Sequence, residues 1–534
     1  MNLPDSVKKG DLEPLTEYDP WFWAYYNNLK LSDGYFGLKH HEFQPGYMQS
    51  DARRKVARKG TQTTFTQSEV VDALHGCIHG LYRAGVLYLF PTRNDVTDFS
   101  AARFKPLISE NQHAIGQYVK DTNRENLRRV AGGLIYFRSG YVDSATLKGI
   151  PCDKVVFDEF DEMSQAARGL AIERMAHSTV QKEVYLANPT LPDFGVDKIY
   201  ELESDRGIWD IKCQKCGKHS CLEMFFPNGK SGEDVKCLER LKDGRVIRLC
   251  PKCRDRELYT RDGQWVKRNP DRSEWMEGFW ISHLNNKFKD PKLILDTYEK
   301  LDTLKSFEVS QFWNLTMGIG YVDAQNRLSV EQVLELCGDE GIPNSDRGPC
   351  SMGVDNMQDL HIVIGKPPGK IVYIGVHKEW DELDSLMKYF NVGSCVVDAN
   401  PNLDSARKFA GRHKGRVYIN FYNIHQKGSY AWNERDFIVQ CNRTESLDAS
   451  HKQIMDKLIT LPKPCEVVQE FADQMHNVAK KLEEDEETGS KRYVYIKLGD
   501  DHFRHAFNYE CMARGVMGTG MNLIDSRDID AAFS

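Results

Sequence analysis

The sequence predicts an α/β protein with two α/β domains, separated by a cysteine-bearing insert and a connecting region. Three observations support this prediction. Between residues 35 and 210, short β-favouring runs alternate with helical stretches, as they do around a parallel sheet. Two Cys-x2-Cys pairs occur within residues 205–265, where long apolar runs are scarce. A second alternation of β-favouring and helical segments begins near residue 348.

The composition is that of a globular protein and argues against several other classes. Of 534 residues, 40% are hydrophobic and 28% are charged. No run approaches the roughly 18 apolar residues of a membrane span, and the first residues show no apolar signal segment. Fourteen cysteines in such a chain indicate a reducing cytosol. The net charge of −7 argues against a passive nucleic-acid coat, whereas basic clusters at residues 53–59 and 407–416 suit transient DNA contact or solvated surface.

An apolar run that ends in two carboxylates is the first candidate catalytic element. The β-favouring residues 154–157 precede Asp158 and Glu159. A buried parallel strand delivers its last side chains to the carboxyl edge of the sheet, where ligands bind. Phosphoryl transfer requires a metal-anchoring carboxylate and a group that orients the attacking water. We therefore predict that Asp158 holds Mg²⁺ and that Glu159 is catalytic and polarises water.

A basic, Gly- and Thr-rich segment at residues 55–64 is the candidate phosphate-binding loop, with a helix expected from about Phe65. It departs from G-x-x-x-x-G-K-[ST], because Thr61 or Gln62 stands where the lysine is expected. Its amides, cations and hydroxyls could still hold phosphates, and a basic N-cap of a helix is the alternative interpretation. The candidate ATP-binding residues here are Lys55, Arg58, Lys59, Gly60, Thr61, Gln62 and Thr63. Any of the three basic residues could reach the phosphates from the start of the loop.

The paired cysteines predict a metal site. They are Cys213 and Cys216, followed by Gly217, and Cys250 and Cys253, followed by Arg254. Two such knuckles, each turning back on itself, fit a tetrahedral zinc ribbon. Four thiolates leave no open coordination position, so a structural role is expected. Cys221 and Cys237 are expected to stay outside the site.

The second α/β region predicts an RNase H-like fold from the order of its elements. Strands are expected at residues 352–355, 361–365 and 371–376, with a turn at 367–369, an amphipathic helix at 381–390 and a buried strand at 394–398. An antiparallel meander, a crossover helix and a parallel strand open an RNase H-like fold. In that architecture the first and fourth strands are neighbours.

Adjacent acidic strand ends in this region predict a nuclease site. Asp355 and Asp398 would come together, and two such carboxylates repel each other unless cations lie between them. Hard oxygen ligands favour Mg²⁺ or Mn²⁺. A third carboxylate is expected at the start of a late helix, where Asp501 fits and Asp500 is the alternative. His502 is expected either to support a ligand or to face solvent.

Further segments surround the acidic strand in a particular order. They are residues 89–92, with a Pro-Thr step after a strand, residues 132–137, the small-residue stretch 144–149, the Leu-Ala-Asn-Pro-Thr segment 186–190 and residues 44–49. Together with the elements above, this order resembles the large terminase subunit of tailed phages. Residues 186–190 resemble that family's coupling motif, which implies that Thr190 senses the γ-phosphate. Residues 44–49 resemble its adenine-side element, which implies Gln44 or Gln49 as a contact. His505 stands where the family often has an acidic residue.

The resemblance implies a P-loop-type parallel-sheet ATPase domain with a zinc-ribbon-like insert, followed by an RNase H-like nuclease domain. The expected division is an N-terminal segment 1–34, the ATPase domain 35–210, the insert 205–265, a lid or linker region 266–347, the nuclease domain 348–515 and a tail 516–534. It implies ATP-driven movement of double-stranded DNA into a procapsid and metal-dependent cutting of concatemeric DNA. The implied cofactors are ATP, Mg²⁺ or Mn²⁺, and Zn²⁺. The implied partners are DNA, a small terminase subunit, the portal protein and further copies in a ring, in the host cytoplasm and outside the mature virion.

Two other functions are compatible with parts of the sequence. A nuclease-helicase of DNA repair would require a second RecA-like domain after residue 266, and the sequence shows no sign of one. A zinc-bearing DNA scaffold with a decayed ATPase would explain the departure from the standard phosphate loop.

Overall fold

The computed structural model describes residues 9–32, 34–37, 41–120, 126–140, 147–164, 166–227, 233–322, 326–423, 426, 428, 430–484 and 491–519. The chain divides into two compact units, Met1–Val322 and Asp323–Ser534. Half of the small-residue stretch 144–149, the tip of the Glu-rich segment and most of the tail lie outside the described residues. Within the described ranges, no helix is both long and apolar enough to cross a membrane.

The first unit is built from short strands and helices. Its strands are β1 (Lys30–Leu31), β2 (Gly34–Tyr35), β3 (Arg54–Lys59), β4 (Val86–Phe90), β5 (Val119–Lys120), β6 (Leu127–Val130), β7 (Gly133–Ser139), β8 (Lys154–Asp158), β9 (Lys182–Ala187), β10 (Gly207–Lys212), β11 (His219–Ser220), β12 (Leu238–Arg240), β13 (Val246–Arg248), β14 (Gly263–Lys267) and β15 (Glu277–Ile281). Its α-helices are α1 (Pro20–Tyr26), α2 (Gln44–Met48), α3 (Phe65–Ile78), α4 (Arg93–Phe99), α5 (Lys105–Glu110), α6 (Ala166–Ile172), α7 (Gly195–Lys198), α8 (Pro291–Tyr298) and α9 (Ser306–Gln311).

A parallel sheet forms the centre of this unit. Its strands β15, β3, β9, β8, β4 and β7 are hydrogen-bonded in that order and run parallel, and antiparallel β6 and β5 extend one edge. All residues of β4 and β8 are buried, as expected for central strands covered on both faces. The strands predicted near residues 86, 134, 154 and 184 are confirmed.

Two segments differ from the expected secondary structure. Residues 55–59, predicted as the start of a loop, belong to β3, because the basic residues of this run are buried in ion pairs and aromatic contacts. Within the expected lid or linker region 266–347, Glu277–Ile281 forms β15 beside β3 in the sheet. Gly278–Ile281 are all buried, and the sheet is the environment that buries this aromatic stretch.

Among its described residues, the second unit contains a seven-stranded sheet, a two-stranded sheet and six helices. Its strands are β16 (Cys350–Asn356), β17 (Leu360–Lys366), β18 (Lys370–His377), β19 (Val392–Asp398), β20 (Val417–Tyr422), β21 (Ala431–Asn433), β22 (Ile438–Cys441), β23 (Val478–Glu484) and β24 (Lys491–Lys497). Its helices are the one-turn α10 (Val330–Leu334) and the longer α11 (Trp380–Tyr389), α12 (Leu403–Arg412), α13 (Arg443–Met455), α14 (Glu466–His476) and α15 (His502–Thr519).

The predicted meander, crossover helix and parallel strand are present in this unit. The sheet order is β18-β17-β16-β19-β20-β22-β21, so the first and fourth strands of the region are neighbours, as expected. Helix α15 packs closely on β16. Gly353 of β16 permits this contact, since a Cβ at this position would overlap the Ala506 carbonyl and the Glu510 amide. This close packing places the start of α15 at the sheet. β23 and β24 pair in antiparallel fashion, and residues 485–490 between them lie outside the described residues.

Candidate functional site

A cavity of about 780 Å³ lies beside the end of β3, the start of α3 and the end of β8. The polar side chains that line it include Gln44, Lys59, Thr63, Thr66, Glu159 and Asn188. Its volume lies in the range of roughly 300–1,000 Å³ that small-molecule and cofactor sites occupy. Parallel α/β sheets bind ligands at this carboxyl edge, so the cavity is the expected place for a nucleotide.

Lys59 provides a positive charge at this cavity. It ends β3, and its Nζ lies 3.0 Å from the Glu159 Oε1. Burial lowers the pKa of Lys59, but Glu159 and Asp158 outweigh this effect and raise it, so the lysine is charged at neutral pH. The Asn188 side-chain amide donates to the Lys59 carbonyl at 2.7 Å. The segment after β9 is therefore tied directly to the residue that carries the charge.

Asp158 is a buried carboxylate with two hydroxyl partners. It is 2% exposed and accepts hydrogen bonds from the Thr66 hydroxyl at 3.0 Å and the Tyr88 hydroxyl at 3.1 Å. Burial and Glu159 raise the pKa of Asp158 to about 6, although Lys59 lowers it. A strand-end Asp beside a hydroxyl from the helix after the phosphate loop is the donor set that holds Mg²⁺ in P-loop NTPases. The residues present thus fit a hard cation with oxygen ligands.

Glu159 adopts a backbone conformation that few side chains tolerate. Its φ is 57°, in the left-handed region. Such strain is found mainly where the surrounding structure imposes it, often at functional sites. The conformation brings the Glu159 carboxylate to Lys59 while its side chain remains 41% exposed, so water can reach it. These are the properties required of a group that orients an attacking water.

The loop between β3 and α3 combines backbone anchoring with an open helix end. The amides of Gly60 and Thr61 donate to the carbonyls of Ile281 and Leu315, both at 2.8 Å, which fixes the start of the loop. Thr64 precedes α3 with a φ of 67°, a conformation that favours glycine. The first amides of a helix have no partner within the helix and can bind an anion. The phosphate-binding amides are therefore expected after Thr61.

The structure separates the three basic candidates. Lys55 is buried and lies 3.3 Å from Glu69, with its Nζ over the Tyr47 ring. Arg58 is buried between the Tyr200 and Trp280 rings, both 4.2 Å away. The Arg58 guanidinium also pairs with acidic side chains, Asp197 at 2.7 Å and Glu201 at 3.0 Å. Of the three, Lys59 lines the cavity.

The two resemblance-based contacts are also placed differently from each other. Gln44 lines the cavity and donates to the Ser68 hydroxyl at 2.9 Å, whereas Gln49 donates to Asp19 at 2.6 Å beside a different cavity. The Thr190 hydroxyl donates to Asp161 at 3.0 Å. In this segment Asn188, two residues before Thr190, lines the nucleotide-sized cavity.

In the second unit, two acidic residues emerge at one edge of neighbouring strands. β16 and β19 pair in parallel with Val354 opposite Val397, so Asp355 and Asp398 follow at the same edge. Asp355 is 3% exposed. Burial, together with the charge of Asp355, raises the pKa of Asp398 to about 6. The repulsion between them is of the kind that a bound cation relieves.

The start of α15 adds further charged groups. The His502 Nδ1 lies 2.9 Å from the Asp355 Oδ2, and this contact raises the pKa of His502 against the effect of burial. Asp501 is buried beside Lys497 at 2.8 Å and His505 at 3.5 Å. Although burial raises the pKa of Asp501, hydrogen bonds and electrostatic interactions with His505 and Lys497 hold it far below the usual range. His502 thus contacts the first carboxylate directly, while Asp501 pairs with Lys497 and His505.

The four paired cysteines converge on one point. The Sγ atoms of Cys213 and Cys253 lie 3.9 Å apart, as do those of Cys216 and Cys250, and all four lie within 4.8 Å of one another. Zn–S bonds of about 2.3 Å in a tetrahedron place sulfurs about 3.8 Å apart, so the cluster fits zinc. The residue after each knuckle, Gly217 or Arg254, has a positive φ, and its amide donates to the first cysteine carbonyl at 2.9 Å. The predicted knuckles are thus present, and Cys221 and Cys237 are absent from this cluster.

Comparison with known proteins relates most of the first unit to a phage protein family. Residues 45–272 match the family described as phage terminase large subunit gpA, ATPase domain. The resemblance to phage large terminases is confirmed. The four-cysteine cluster lies inside the matched terminase region, as an insert in its sequence. No curated protein matches the chain.

Solved terminase structures show distant likenesses. The large terminase of bacteriophage HK97 has 11% identity and a TM-score of 0.45, covering 86% of this chain and 91% of that chain. The large terminase of a thermophilic bacteriophage, in complex with ADP, has 11% identity and a TM-score of 0.30, covering 88% and 95%. The nuclease domain of the large terminase subunit gp2 of bacterial virus Sf6 has 9% identity and a TM-score of 0.26, covering 35% and 98%.

Three residues at the two candidate sites were not predicted from the sequence. Thr66 lies in the helix after the expected loop, and a hydroxyl in the first turn of that helix is a signal by which it could be predicted. Asn188 lies in the same short segment as Thr190, which the family resemblance favours. His361 was assigned only to a strand, and its pairing opposite Asp355 becomes visible with the β16–β17 register.

Proposed function

We propose that this chain is a terminase large subunit that couples ATP hydrolysis to the movement of double-stranded DNA into a procapsid and cuts concatemeric DNA. The observation that carries the motor assignment is the cluster of Lys59, Glu159, Asp158 and Thr66 inside a region that matches a terminase ATPase family. The proposed partners are a small terminase subunit, the portal protein and further copies of the chain in a ring, in the host cytoplasm.

Each residue of the ATPase cluster has a proposed role. Lys59 binds the β- and γ-phosphates, and the amides after Thr61 support them. Asp158 and Thr66 hold Mg²⁺, which when bound with ATP neutralises charge on the phosphate oxygens. Glu159 orients the attacking water. Asn188 connects this site to the segment after β9 through the Lys59 carbonyl, so it is the proposed coupling residue beside Thr190.

The second unit is the proposed nuclease. Asp355 and Asp398 provide the carboxylate edge, and Asp501 remains the candidate for the third carboxylate. Bound divalent ions would supply activation of water and stabilisation of the leaving 3′ oxygen. The four-cysteine cluster has a proposed structural role, since four thiolates complete the coordination of zinc.

Two variants of the purified full-length chain test the two activities separately. Glu159→Gln removes the water-orienting carboxylate, so ATP turnover should fall by about 10²-fold or more while Mn²⁺-dependent plasmid cleavage persists. Asp355→Asn should abolish cleavage and leave ATP turnover intact. Undiminished ATP hydrolysis in the Glu159 variant would contradict the ATPase assignment, and persistent cleavage in the Asp355 variant would contradict the nuclease assignment. DNA packaging with purified procapsids then tests the motor.

A further inference from the structure

The four-cysteine insert carries exposed cations around its metal-binding knuckles. Residues 212–219 and 250–257 contain six Lys or Arg side chains and two acidic ones, whereas the whole chain has a net charge of −7. All six cations are exposed: Lys212, Lys215, Lys218, Lys252, Arg254 and Arg256. Zinc with four thiolates adds two negative charges, and the cations still outnumber the anions. The knuckles therefore present a positive surface on a protein of negative net charge.

Two of these cations occupy equivalent positions on the two knuckles. The Lys218 carbonyl accepts a hydrogen bond from the Cys213 amide, and the Arg256 carbonyl accepts one from the Cys250 amide, both at 2.9 Å. The two cationic side chains thus follow the two turns that surround the metal position. Among the described residues, neither side chain has a carboxylate partner. Exposed cations without a partner in the protein are the groups that bind the phosphates of a nucleic-acid backbone.

The inner side of the insert binds residues 282–286, here called the bridging segment. The buried Glu223 carboxylate accepts hydrogen bonds from the Ser282 amide at 3.0 Å and from the Ser282 hydroxyl at 2.8 Å. The Arg248 guanidinium donates to the Asn286 carbonyl at 3.0 Å. Breaking these contacts would leave buried charged groups without partners, which is costly. The insert and the bridging segment are therefore expected to shift together.

The bridging segment also contacts the loop between β3 and α3. The His283 Nε2 donates to the Thr61 carbonyl at 2.9 Å and lies 3.2 Å from the Thr61 hydroxyl. The Asn286 side-chain amide donates to the Gln62 carbonyl at 3.4 Å. A Cβ at Gly60 would lie 3.0 Å from the His283 ring, so this ring packs directly on the loop. Because Thr61, Gln62 and Asn286 line the nucleotide-sized cavity, a shift of the bridging segment reaches that cavity directly.

We propose that the knuckles bind the phosphate backbone of double-stranded DNA and that the bridging segment couples this contact to the nucleotide cavity, so that each ligand changes the affinity for the other. The inference rests on the proposed function, which supplies DNA and ATP as the ligands. It gives the four-cysteine insert a role beyond a structural one. Zinc holds the two turns in place, and the Lys and Arg side chains make the DNA contact. Such contacts are independent of base sequence and weaken with salt.

The test measures the binding of both ligands to the zinc-replete full-length chain. The parent chain carries Asp355→Asn, which prevents cleavage at the proposed nuclease site, and a gel confirms that the DNA stays intact. Fluorescence anisotropy of a short labelled duplex reports DNA affinity over a range of salt concentrations, with and without ATPγS and Mg²⁺. Calorimetry reports ATPγS affinity with and without the duplex.

Three sets of variants separate the steps of the proposal. Lys218→Gln combined with Arg256→Gln, here called the knuckle pair, removes two cations beside the metal position. Lys242→Gln combined with Arg245→Gln is the matched control, because it makes the same charge change in the exposed turn between β12 and β13 of the same insert. His283→Phe keeps a ring on the loop but lacks the donor to the loop carbonyl, and His283→Gln keeps a donor amide.

At about 0.1 M salt the knuckle pair should lose about tenfold or more in DNA affinity. The slope of log affinity against log salt concentration should become shallower by about 1.8, since each phosphate contact contributes about 0.9. The control pair should retain the affinity and the slope. In the parent chain each ligand should change the affinity for the other by one common factor, at least about fivefold. His283→Phe should keep the DNA affinity measured without nucleotide and bring this coupling factor close to one, and His283→Gln should recover part of it.

An unchanged salt slope in the knuckle pair, or an equal loss in the control pair, would overturn the DNA contact. An unchanged coupling factor in folded His283→Phe would overturn the role of the bridging segment. If His283→Phe does not fold, as judged by thermal unfolding, the knuckle pair at saturating DNA decides the question. Its coupling factor should fall toward one, and an unchanged factor would overturn the coupling.

These outcomes are distinct from a failure of the proposed function. Loss of ATP turnover in Glu159→Gln and loss of cleavage in Asp355→Asn would still support the motor and the nuclease if the knuckle pair behaved like the parent chain. A parent chain that neither hydrolyses ATP nor binds DNA would refute both the proposed function and this inference.

Discussion

Substituting each of the three basic candidates, Lys55, Arg58 and Lys59, tests the proposal that Lys59 is the residue that contacts the phosphates. Lys59→Met removes the charge that lines the cavity while preserving the apolar stem. Lys55→Met and Arg58→Met remove charges that the structure places in other ion pairs. The three variants should therefore differ in kind: one should affect chemistry and the others stability.

The expected magnitudes follow from the surroundings of each charge. Losing a preorganised charge or donor that stabilises the transition state costs about 10²–10³ in kcat, or about 3–4 kcal/mol, so Lys59→Met should reduce ATP turnover by that factor. Its partner Glu159 is 41% exposed and can be hydrated, so the free energy of unfolding should change by less than about 1 kcal/mol. Arg58→Met instead leaves the buried Asp197 carboxylate without its cation, which costs about 3–5 kcal/mol.

Steady-state ATP turnover and urea unfolding of the first unit distinguish these outcomes. Lys59→Met should lose activity with a nearly unchanged unfolding midpoint. Arg58→Met should lower the midpoint, and its activity should recover under stabilising conditions. Lys55→Met should lose less stability than Arg58→Met, because Glu69 keeps Lys154 as a second cation. Near-normal turnover in Lys59→Met, with inactivity of a stable Lys55 or Arg58 variant, would refute the assignment.

Four further results are expected. Thr66→Ala should raise the Mg²⁺ concentration required for half-maximal ATP turnover by about tenfold. Thr66→Ser keeps the hydroxyl and should show the wild-type Mg²⁺ dependence. A normal Mg²⁺ dependence in Thr66→Ala would contradict the role of Thr66 in holding Mg²⁺. Asp355→Asn should abolish Mn²⁺-dependent nicking in a gel assay while ATP turnover stays within about twofold, as expected for separate sites. Elemental analysis should find one zinc ion per chain. The Cys216→Ser variant should lack this zinc and unfold at a lower temperature than the wild-type chain. A zinc-free chain of unchanged stability would exclude a structural role for the ion. Burial lowers the pKa of His75 from 6.5 to about 4. The free energy of unfolding that this neutral histidine contributes is therefore full above pH 6.5 and should fall as the pH drops toward 4. Urea titrations of His75→Gln should show a smaller dependence of stability on pH over this range.

The region from residue 348 onward was the most predictable part of the fold, for a physical reason. Strand periodicity, a turn at residues 367–369 and an amphipathic helix are local signals, and a right-handed crossover leaves few ways to connect them. The adjacency of Asp355 and Asp398 follows from that topology. The position of His361 opposite Asp355 depends on the exact antiparallel register, which a one-residue shift would have changed.

The ATPase loop was harder to predict, because its strand does not resemble a buried strand in sequence. The run from Arg54 to Lys59 contains four basic residues in six positions. Lys55, Arg58 and Lys59 are buried, and only partners distant in sequence explain their burial. Glu69, Asp197 and Glu159 each neutralise one of them from a different element. No local sequence pattern predicts these partners, so the basic run at residues 55–59 is predicted as part of a loop.

We propose that the same partners allow a phosphate site without the standard lysine position. In the standard loop, a lysine at the start of the helix reaches back to the phosphates. The structure begins α3 at Phe65, so the helix-start position falls on this buried residue and not on Thr61 or Gln62, where the sequence spacing placed it. The charge is supplied instead from the preceding strand by Lys59, held at the cavity by Glu159. The helix still supplies its hydroxyl one residue later, where Thr66 contacts Asp158. In this proposal, moving the cation across the loop preserves the charge and the proposed metal ligands, and it changes the motif by which they are recognised in sequence.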